Sequence, residues 1–420
     1  MYYASSEETV LVGITEQSER VTVPAYYEGK PITIAPYAFA EARGIEHITI
    51  SEGITEISEY CFYRTSITQI DLPTTLKSIE KYALICKISS ITLPDGIKSI
   101  EKGVFEGCSQ LADLTLPETV EYFDFSAIED TAVTSLYIPR SVTQLILELE
   151  YNPFEKISEI TVHPDNQFYS ATDGVLFNKD GTELVWYPVA KSDTEYTVPN
   201  TVRKIGDYAF AFNFALTVVN VGENTETLGE KSFYGCSVIE SVTIPKSLTS
   251  LGSNAFTYCK NLTSFNANPD NPVFSSLDGV LFNKEITELI LYPAQRIATK
   301  YTVPPTVTSI RPSAFSDVKV LKNVVLPDGL THIGDHAFYG CGESTLTVTF
   351  PESLEYIGAG AFFGCDLILT WKYSGDWTAT DNKNNTVTLD ETLFEDVREI
   401  KYKYLQDSHN HTLEKVKNAP

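Results

Sequence analysis

The residues best suited to metal chemistry are two histidines four positions apart, His332 and His336. Their spacing is that of a zinc half-site, but a metalloprotease motif needs Glu directly after the first His, and Ile333 stands there. Both histidines occupy variable positions of a sequence repeat described below, where we expect side chains to face solvent. His409 and His411 lie in a polar tail and form a weaker candidate. We therefore expect no metal ion and no catalytic residue at these histidines.

Cofactor-binding motifs are equally weak in this chain. Gly358-Ala-Gly360 resembles the start of a dinucleotide-binding fingerprint, but it belongs to a recurring turn and no helix of useful length follows it. The sequence has no phosphate-binding P-loop and no Gly-x-Ser-x-Gly nucleophile motif. We expect no cofactor.

The chain has seven cysteines, and five of them close a recurring Phe-x-x-Cys segment. They are Cys61, Cys86, Cys108, Cys236, Cys259, Cys341 and Cys365. Equivalent cysteines of neighbouring repeats would lie about 5 Å apart, which permits a disulfide; the alternative is a row of buried thiols that pack as small apolar groups. The odd number and the absence of Cys-x-x-Cys argue against a zinc site and a fully oxidised framework.

Polysaccharide cleavage would need two or three carboxyl groups about 5–9 Å apart. Asp71, Asp113 and Glu159 recur at outward positions of the repeat described below, but they are two repeats apart. Successive carboxylates would therefore be about 10 Å apart. This spacing favours a broad polar contact with a protein or a glycan over catalysis.

Composition narrows the classes of partner. The net charge of −25 and the pI of about 4.6 disfavour nucleic acid and anionic membranes, both of which attract basic surfaces. The charge fits either solubility of an exposed surface or attraction to a basic partner. No apolar run approaches the ~20 residues of a membrane span. The residues after Met1 do not form a signal peptide, so the sequence is compatible with a cytosolic chain or with a chain whose leader has been removed.

These residues must be positioned by a repeat of about 23 residues, the signature of a solenoid. In residues 239–259, an alternating segment predicts a strand that ends at Pro245, and a second short apolar segment follows. Gly-x-x-Ala-Phe-x-x-Cys then predicts a tight turn with one 3-10 or helical turn. The inward Phe residues should stack as a spine. They are Phe39, Phe62, Phe105, Phe210, Phe233, Phe256, Phe315, Phe338 and Phe362.

The first strand of each repeat also predicts an outward face, because alternate residues of a strand point to opposite sides. This candidate binding face consists of Gln69, Asp71, Ser90, Thr92, Asp113, Thr115, Ser135, Tyr137, Glu159 and Thr161. It is mostly hydroxyl and amide groups.

A longer period is superimposed on the repeat, because residues 164–210 match residues 269–315 at a constant offset of 105. Each copy predicts a β-hairpin, the first with its turn at Asn178–Gly181. The second copy lacks the turn Gly, so we expect its turn to differ. The inserts serve either as protection of a sheet edge or as a specialised surface. Asp165, Asn166 and Asp173, with their counterparts in the second copy, fit turn chemistry as well as calcium ligation.

The recurring unit, with the segments Glu28–Ile34 and Asp173–Lys179, resembles the BspA-type leucine-rich repeat over residues 10–365. The resemblance implies a right-handed leucine-rich-repeat solenoid, mainly β, with a parallel sheet along one face. It also implies a secreted or surface-exposed protein that adheres to host proteins or other cells and has no enzymatic activity. Because the family has no fixed binding residues, it assigns none here.

The sequence thus predicts three parts: residues 1–44 as a cap with a partial repeat, residues 45–365 as the solenoid with inserts at 164–198 and 269–303, and residues 366–420 as a second cap. Residues 393–405 fit a helix or a strand equally well. The expected partner is an extracellular protein or a glycan. The alternatives to adhesion are a carbohydrate-binding or polysaccharide-acting solenoid and a structural spacer.

Overall fold

A computed structural model describes residues 2–4, 9–13, 18–147, 156–341, 345–371, 376–389, 405 and 411–416. The chain forms two compact units. Unit 1 contains residues 1–192 and 205–213, and unit 2 contains residues 193–204 and 214–420. Each unit is a β-solenoid, in which one repeat forms one coil.

The predicted strand before each Pro is present and stacks in parallel on its equivalent in a neighbouring coil, and we call this stack the first ladder. In unit 1 its strands are Arg20–Val23, His47–Ile50, Gln69–Asp71, Ser90–Thr92, Asp113–Thr115, Ser135–Ile138 and Glu159–Val162. In unit 2 they are Glu195–Thr197, Val218–Asn220, Ser241–Ile244, Ser264–Ala267, Lys300–Thr302, Asn323–Val325, Leu346–Phe350 and Leu367–Trp371.

The short apolar segment after each Pro forms a second ladder of parallel strands. In unit 1 its strands are Glu56–Ile57, Ser78–Ile79, Ser99–Ile100, Tyr122–Asp124 and Gln144–Ile146. In unit 2 they are Thr227–Leu228, Ser250–Leu251, Ser309–Ile310, His332–Ile333 and Tyr356–Ile357. Lys204–Ile205 is a further strand of this kind. Most of these strands turn one Ile, Leu or Phe into the core, so each coil places apolar side chains between the two ladders.

The turn after the second ladder is tighter than a helix. Within residues 18–147 and 156–341, the only helical segment is the 3-10 helix Phe125–Ile128, which Asp124 caps by accepting from the Ser126 N–H. In most other coils the turn residue two positions before the spine residue or its equivalent has φ between 50° and 67°. It is Tyr37, Tyr60, Tyr82, Gly103, Tyr208, Lys231, Asn254, Ser313, His336 or Gly360.

A non-glycine residue with this left-handed backbone costs about 1–2 kcal/mol, and a third set of hydrogen bonds between coils offsets that cost. The N–H groups of Tyr37 and Phe39 donate to the carbonyls of Glu59 and Cys61 at 3.2 and 3.0 Å. The N–H of Glu41 donates to the Tyr63 carbonyl at 2.8 Å. We call this set the turn ladder.

The predicted Phe spine is confirmed, since all nine rings are buried. Phe315 and Phe338 stack with their centroids 4.6 Å apart, and Phe338 and Phe362 with theirs 4.9 Å apart. Two tyrosines of the inserts extend the spine, because Tyr187 stacks on Phe210 and Tyr292 on Phe315. A ring spacing close to the strand spacing explains why one aromatic residue per coil packs without gaps.

Each insert is a three-stranded antiparallel sheet. The predicted hairpin is present, and a further strand that the sequence did not predict precedes it. The strands are Tyr169–Thr172, Val175–Asn178 and Glu183–Trp186 in the first insert, and Phe274–Leu277, Val280–Asn283 and Glu288–Leu291 in the second.

The expectation that the second turn differs is wrong. Gly181 has φ 66° and its N–H donates to the Asn178 carbonyl at 3.0 Å. Ile286 takes the same left-handed conformation, with φ 55°, and donates to the Asn283 carbonyl at 3.1 Å. The surrounding strands therefore impose this backbone on a β-branched side chain.

Antiparallel strands flank the coils at both ends of the chain. Near the N-terminus, Tyr2–Ala4, Thr9–Leu11, Lys30–Ile34 and Tyr26–Tyr27 form one sheet. Near the C-terminus, Trp377–Thr380 pairs with Thr386–Leu389 and with Thr412–Lys415. Trp377 is buried there. Residues 393–404, most of the segment that fits a helix or a strand equally well in sequence, lie outside the described residues.

All seven cysteines are buried free thiols, as in the second of the two alternatives. The Sγ atoms of Cys108, Cys259, Cys341 and Cys365 each donate to a backbone carbonyl of the preceding coil, at 3.0, 3.2, 2.8 and 2.8 Å. Burial raises the pKa of the Cys61 thiol well above its usual range. These thiols pack as core groups in the structure.

Candidate interaction face

All ten residues of the predicted face are exposed on the first ladder of unit 1. They form two rows, one position of each strand contributing to each row. The first row is Gln69, Ser90, Asp113, Ser135 and Glu159. The second row is Asp71, Thr92, Thr115, Tyr137 and Thr161.

The rows are held by the residues between them. Ile70, Leu114 and Ile160 point into the core, with 7, 8 and 0% of their surface exposed. A one-residue slip would turn these side chains out to solvent, so burial fixes which residues face outward. The parallel register sets Ser90 beside Asp113. The face is consequently a rigid lattice of polar side chains.

One end of the face carries a hydrogen-bonded chain across three strands. Arg20 Nη1 lies 2.7 Å from His47 Nδ1, and His47 Nε2 lies 2.6 Å from Asp71 Oδ2. Thr49 and Gln69 also donate to this carboxylate, at 3.2 Å each. The hydrogen bond from His47, reinforced by those from Gln69 and Thr49, lowers the pKa of the Asp71 carboxyl. This end therefore presents an ionised and immobilised carboxylate.

Arg20 and His47 were not in the ten-residue candidate face, although the repeat pattern places His47 at an outward strand position. Arg20 and His47 occupy the first-row position of the two coils that precede Gln69. The signal was available, because Arg20 stands four residues before Pro24 just as Gln69 stands four residues before Pro73. The irregular sequence around the first coil obscured it.

The middle of the face carries its largest apolar group. Tyr137 is 38% exposed, and its ring lies edge-on to His163 with the centroids 6.4 Å apart. Partial burial raises the pKa of the Tyr137 hydroxyl, and the charge of Glu118 raises it further. A half-exposed tyrosine in a polar lattice is a typical anchor for a protein partner.

The far end of the face forms a polar groove with the first insert. Glu159 and Thr161 line it together with Asp173 and Lys191, and its volume is about 450 Å³. The groove holds carboxylate, hydroxyl and ammonium groups within one concave surface. It lies within unit 1.

The first insert closes the edge of the first ladder at this point. The Ile160 N–H donates to the Gly174 carbonyl at 3.0 Å, in place of a further strand. A Cβ on Gly174 would lie 3.4 Å from Glu159 Cα, and Gly174 has φ 76°, so glycine permits the close approach. The second insert repeats the bond, from the Phe265 N–H to the Gly279 carbonyl at 2.9 Å. These contacts favour edge protection as the role of the inserts.

Asn166, one of the residues that fit turn chemistry as well as calcium ligation, has a structural role. The Asn166 side chain is fully buried, and its Nδ2 donates to the carbonyls of Pro139 and Val142 at 2.8 and 3.0 Å. Its Oδ1 accepts from the N–H groups of Phe168 and Tyr169, both at 2.8 Å. Asn166 is thus a structural clamp that fastens the insert to the preceding coil.

Neither histidine of the His-x-x-x-His pair shares a metal-binding cluster in the part of the chain that the structure describes, where no three His, Cys, Asp or Glu residues are grouped as metal ligands. His332 is exposed and stacks on Tyr356, 5.7 Å between centroids. His336 is half-buried rather than solvent-facing, and it holds the left-handed turn position. The described residues also contain no helix whose length and hydropathy would suit a membrane span.

The BspA-type leucine-rich repeat region matches this chain in six copies, over residues 32–161, 190–297 and 291–412. Among solved structures, a leucine-rich repeat protein of Eubacterium ventriosum is 24% identical, with a TM-score of 0.54 over 88% of this chain and 87% of that one. The pneumococcal vaccine antigen PcpA is 20% identical, with a TM-score of 0.56 over 74% of this chain and 91% of that one. These likenesses show the fold. No curated protein sequence matches the chain.

Proposed function

The chain belongs to the BspA-type leucine-rich repeat family, and from this we propose that it is a non-enzymatic protein that binds other proteins outside the cell or at its surface. Its proposed location is outside the cell or at the cell surface, its proposed role is adhesion to other proteins, and its proposed binding surface is the first-ladder face of unit 1. Repeat solenoids of this kind offer extended contact surfaces in place of a single catalytic cleft.

The observation that carries the proposal is the pair of exposed polar rows on the first ladder of unit 1. Their backbone is fixed by parallel pairing and by buried residues such as Ile160, so little conformational entropy is lost when a partner docks. The ten residues offer donors and acceptors at strand spacing with one aromatic anchor, Tyr137.

The charge of the face indicates the chemistry of its partner. Asp71, Asp113 and Glu159 are exposed, and the whole chain carries a net charge of −25. A partner surface with Lys or Arg side chains would associate faster than a neutral one, and the rate would fall with salt.

The test is binding of the purified chain to an array of extracellular-matrix proteins and glycans. We expect at least one protein to bind, with Tyr137→Ala weakening it by about tenfold or more, since an aromatic anchor contributes 2 kcal/mol or more. Glu56→Ala, an exposed change on the second ladder, is the control and should bind as the wild type does. Absence of binding to every protein on the array would contradict the proposal.

A second candidate function is glycan binding, which the polar groove at Glu159, Thr161, Asp173 and Lys191 favours. Carboxylate and hydroxyl groups in a concave site are suited to sugar hydroxyls. On the same array, glycan binding that Glu159→Gln abolishes and Tyr137→Ala spares would select this alternative.

A further inference from the structure

The turn ladder is interrupted beside the second insert. In the coil before the interruption, the N–H groups of Lys231, Phe233 and Gly235 donate to the carbonyls of the next turn at 3.0, 2.8 and 2.9 Å. That next turn holds the equivalent donors, the N–H groups of Asn254, Phe256 and Tyr258. None of these three has an acceptor in the part of the chain that the structure describes.

The donor of Asn254 is left over because the insert coil is two residues short. Leu289 pairs with Ile310, and three residues later Tyr292 stacks on Phe315 as its spine equivalent. Only Ile290 and Leu291 stand between them, opposite the four residues 311–314. The insert coil therefore lacks the left-handed turn residue and the residue before it.

The missing residues leave a notch of about 340 Å³ within unit 2. One wall is the turn Gly252–Thr257, the floor includes Ile290 and Leu291, and the other wall is the segment 311–313. A volume of this size is in the range of sites that bind small ligands, and it exceeds what one bridging water needs.

The opposite wall contains a backbone carbonyl that accepts no hydrogen bond from the described residues. In the next coil, the Asp335 carbonyl accepts from the Ser313 N–H at 2.9 Å. The equivalent carbonyl one coil earlier is that of Pro312, and no described residue donates to it. The notch thus has backbone donors on one side and a backbone acceptor on the other, in the arrangement that a polypeptide satisfies in the regular coils.

We propose that this notch binds a short segment of another polypeptide, whose backbone replaces the two missing turn residues. The carbonyl of the residue before its left-handed residue accepts from the N–H of Asn254, and the N–H of the left-handed residue donates to the Pro312 carbonyl. Each of these bonds satisfies a backbone group that has no partner among the described residues.

The geometry also limits the sequence of the segment. The residue whose N–H donates to Pro312 takes the left-handed conformation in the regular coils, which Gly and Asn adopt most readily. The apolar floor of Ile290 and Leu291 favours a small apolar residue beside it. This site is separate from the first-ladder face, so the proposal stands or falls independently of the proposed function.

The first insert carries a larger side chain at the position of Leu291. Leu291 corresponds to Trp186 of the first insert, which is fully buried against Phe125 with the ring centroids 4.9 Å apart. Leu291→Trp would place the larger side chain in the floor of the notch. The matched control is Ile297→Ala, since Ile297 is 97% exposed in the same insert and does not line the notch.

The test uses the full chain and the peptide acetyl-Arg-Pro-Ser-Ala-amide, which copies residues 311–314. We expect saturable shifts of the backbone amide resonances of Asn254, Phe256 and Tyr258 on titration. A peptide N-methylated at its Ser nitrogen cannot donate to Pro312 and should bind about tenfold more weakly, the factor for one lost hydrogen bond. Leu291→Trp should remove the shifts, and Ile297→Ala should preserve them.

Three results would overturn the proposal. One is the absence of shifts at millimolar peptide, which would mean that water alone occupies the notch. Another is equal binding of the N-methylated peptide. The last is inorganic phosphate shifting the same amides as strongly, which would make the notch an anion site. The two peptides are compared on the wild-type chain, so the test does not depend on the folding of any variant.

Discussion

The two inserts have the same backbone but differ in several side chains. Comparing them shows which residues the insert fold requires and which can vary. Both are clamped by one buried Asn, Asn166 or Asn271, with four hydrogen bonds to backbone. Their turns are organised by Asn178 and Asn283, whose side chains bond the residues that follow. The turn glycine is therefore dispensable, while the asparagines recur in both copies.

We call the hydrogen bonds of these four asparagines the frame, and the two inserts differ in side chains outside it. Ile286 replaces Gly181 in the turn, Leu291 replaces Trp186 on the floor of the notch, and Arg296 replaces Lys191. Each replacement changes packing or charge without changing the hydrogen-bonded frame. The inserts thus offer matched pairs for experiments.

Removing the clamp should have the largest effect. Asn166→Ala or Asn271→Ala leaves four backbone groups without their partners inside the protein, and we expect a loss of about 3 kcal/mol or more of unfolding free energy in either copy. Urea unfolding measures it. Asp165→Ala, an exposed change beside the first clamp, should stay within about 0.5 kcal/mol of the wild type. A large loss in only one copy would show that the two frames are not equivalent.

Alkaline pH should destabilise the second insert. Burial raises the pKa of the Tyr292 and Tyr301 hydroxyls. The neighbouring charge of Arg296 lowers these pKa values, but by less than burial raises them. Because the unfolded tyrosines ionise near their usual value of 10.0 while the folded ones stay protonated, the stabilisation is complete below pH 10 and declines above it. Each such group contributes a slope of about 1.4 kcal/mol per pH unit.

Tyr301→Phe removes one of these groups and should flatten the fall in unfolding free energy between pH 10 and 11.5. The measurement is urea unfolding at a series of pH values. Identical pH profiles of the variant and the wild type would contradict the assignment.

The turn exchange should have an intermediate effect. Gly181→Ile puts a β-branched side chain at φ 66° and should cost about 1–2 kcal/mol. Ile286→Gly relieves the same strain but loses apolar contact and adds chain entropy, so we expect it to lie within about 1 kcal/mol of neutral. Gly181→Asn, which tolerates this backbone, is the control. A neutral Gly181→Ile would show that the frame carries no strain.

The cation exchange should have the smallest effect. The guanidinium of Arg296 lies over the rings of Tyr292 and Tyr301, at 5.5 and 5.4 Å from their centroids. The Lys191 ammonium lies 5.9 Å from the Tyr187 ring centroid. We expect Arg296→Ala to cost about 1 kcal/mol and Lys191→Ala about 0.5 kcal/mol, both measured by urea unfolding. The reverse order would contradict the stronger stacking of a planar guanidinium than of an ammonium on tyrosine rings.

The repeated sequence predicted the coils because every coil repeats the same choice of inward residues. The Phe spine follows from the recurring turn segment, and the ten outward residues follow from the alternation of the first-ladder strands. The strand Tyr169–Thr172 was missed because it is only four residues long and has no large aliphatic residue, so its sequence gives a weak strand signal. Ile286 misled the prediction because the frame, rather than the local preference of the residue, sets its backbone.

The polar chain Arg20–His47–Asp71 and the notch depend on what neighbouring coils place side by side. The chain requires the register of three strands, and its first member lies in an irregular coil. The notch results from an insert coil that has two residues fewer than the next coil between its second-ladder strand and its spine residue. The missing residues are recognised only once Tyr292 is aligned with Phe315. Such features come from pairing between coils, which no single repeat encodes.

The most direct test of the central claim is amide hydrogen exchange of the chain alone and in complex with a protein found on the extracellular-matrix array. If the first-ladder face binds, protection should increase in the strands Gln69–Asp71, Ser90–Thr92, Asp113–Thr115 and Ser135–Ile138. The insert strands Tyr169–Thr172 and Val175–Asn178 should be unchanged. Protection confined to the inserts, with the four face strands unchanged, would contradict the account.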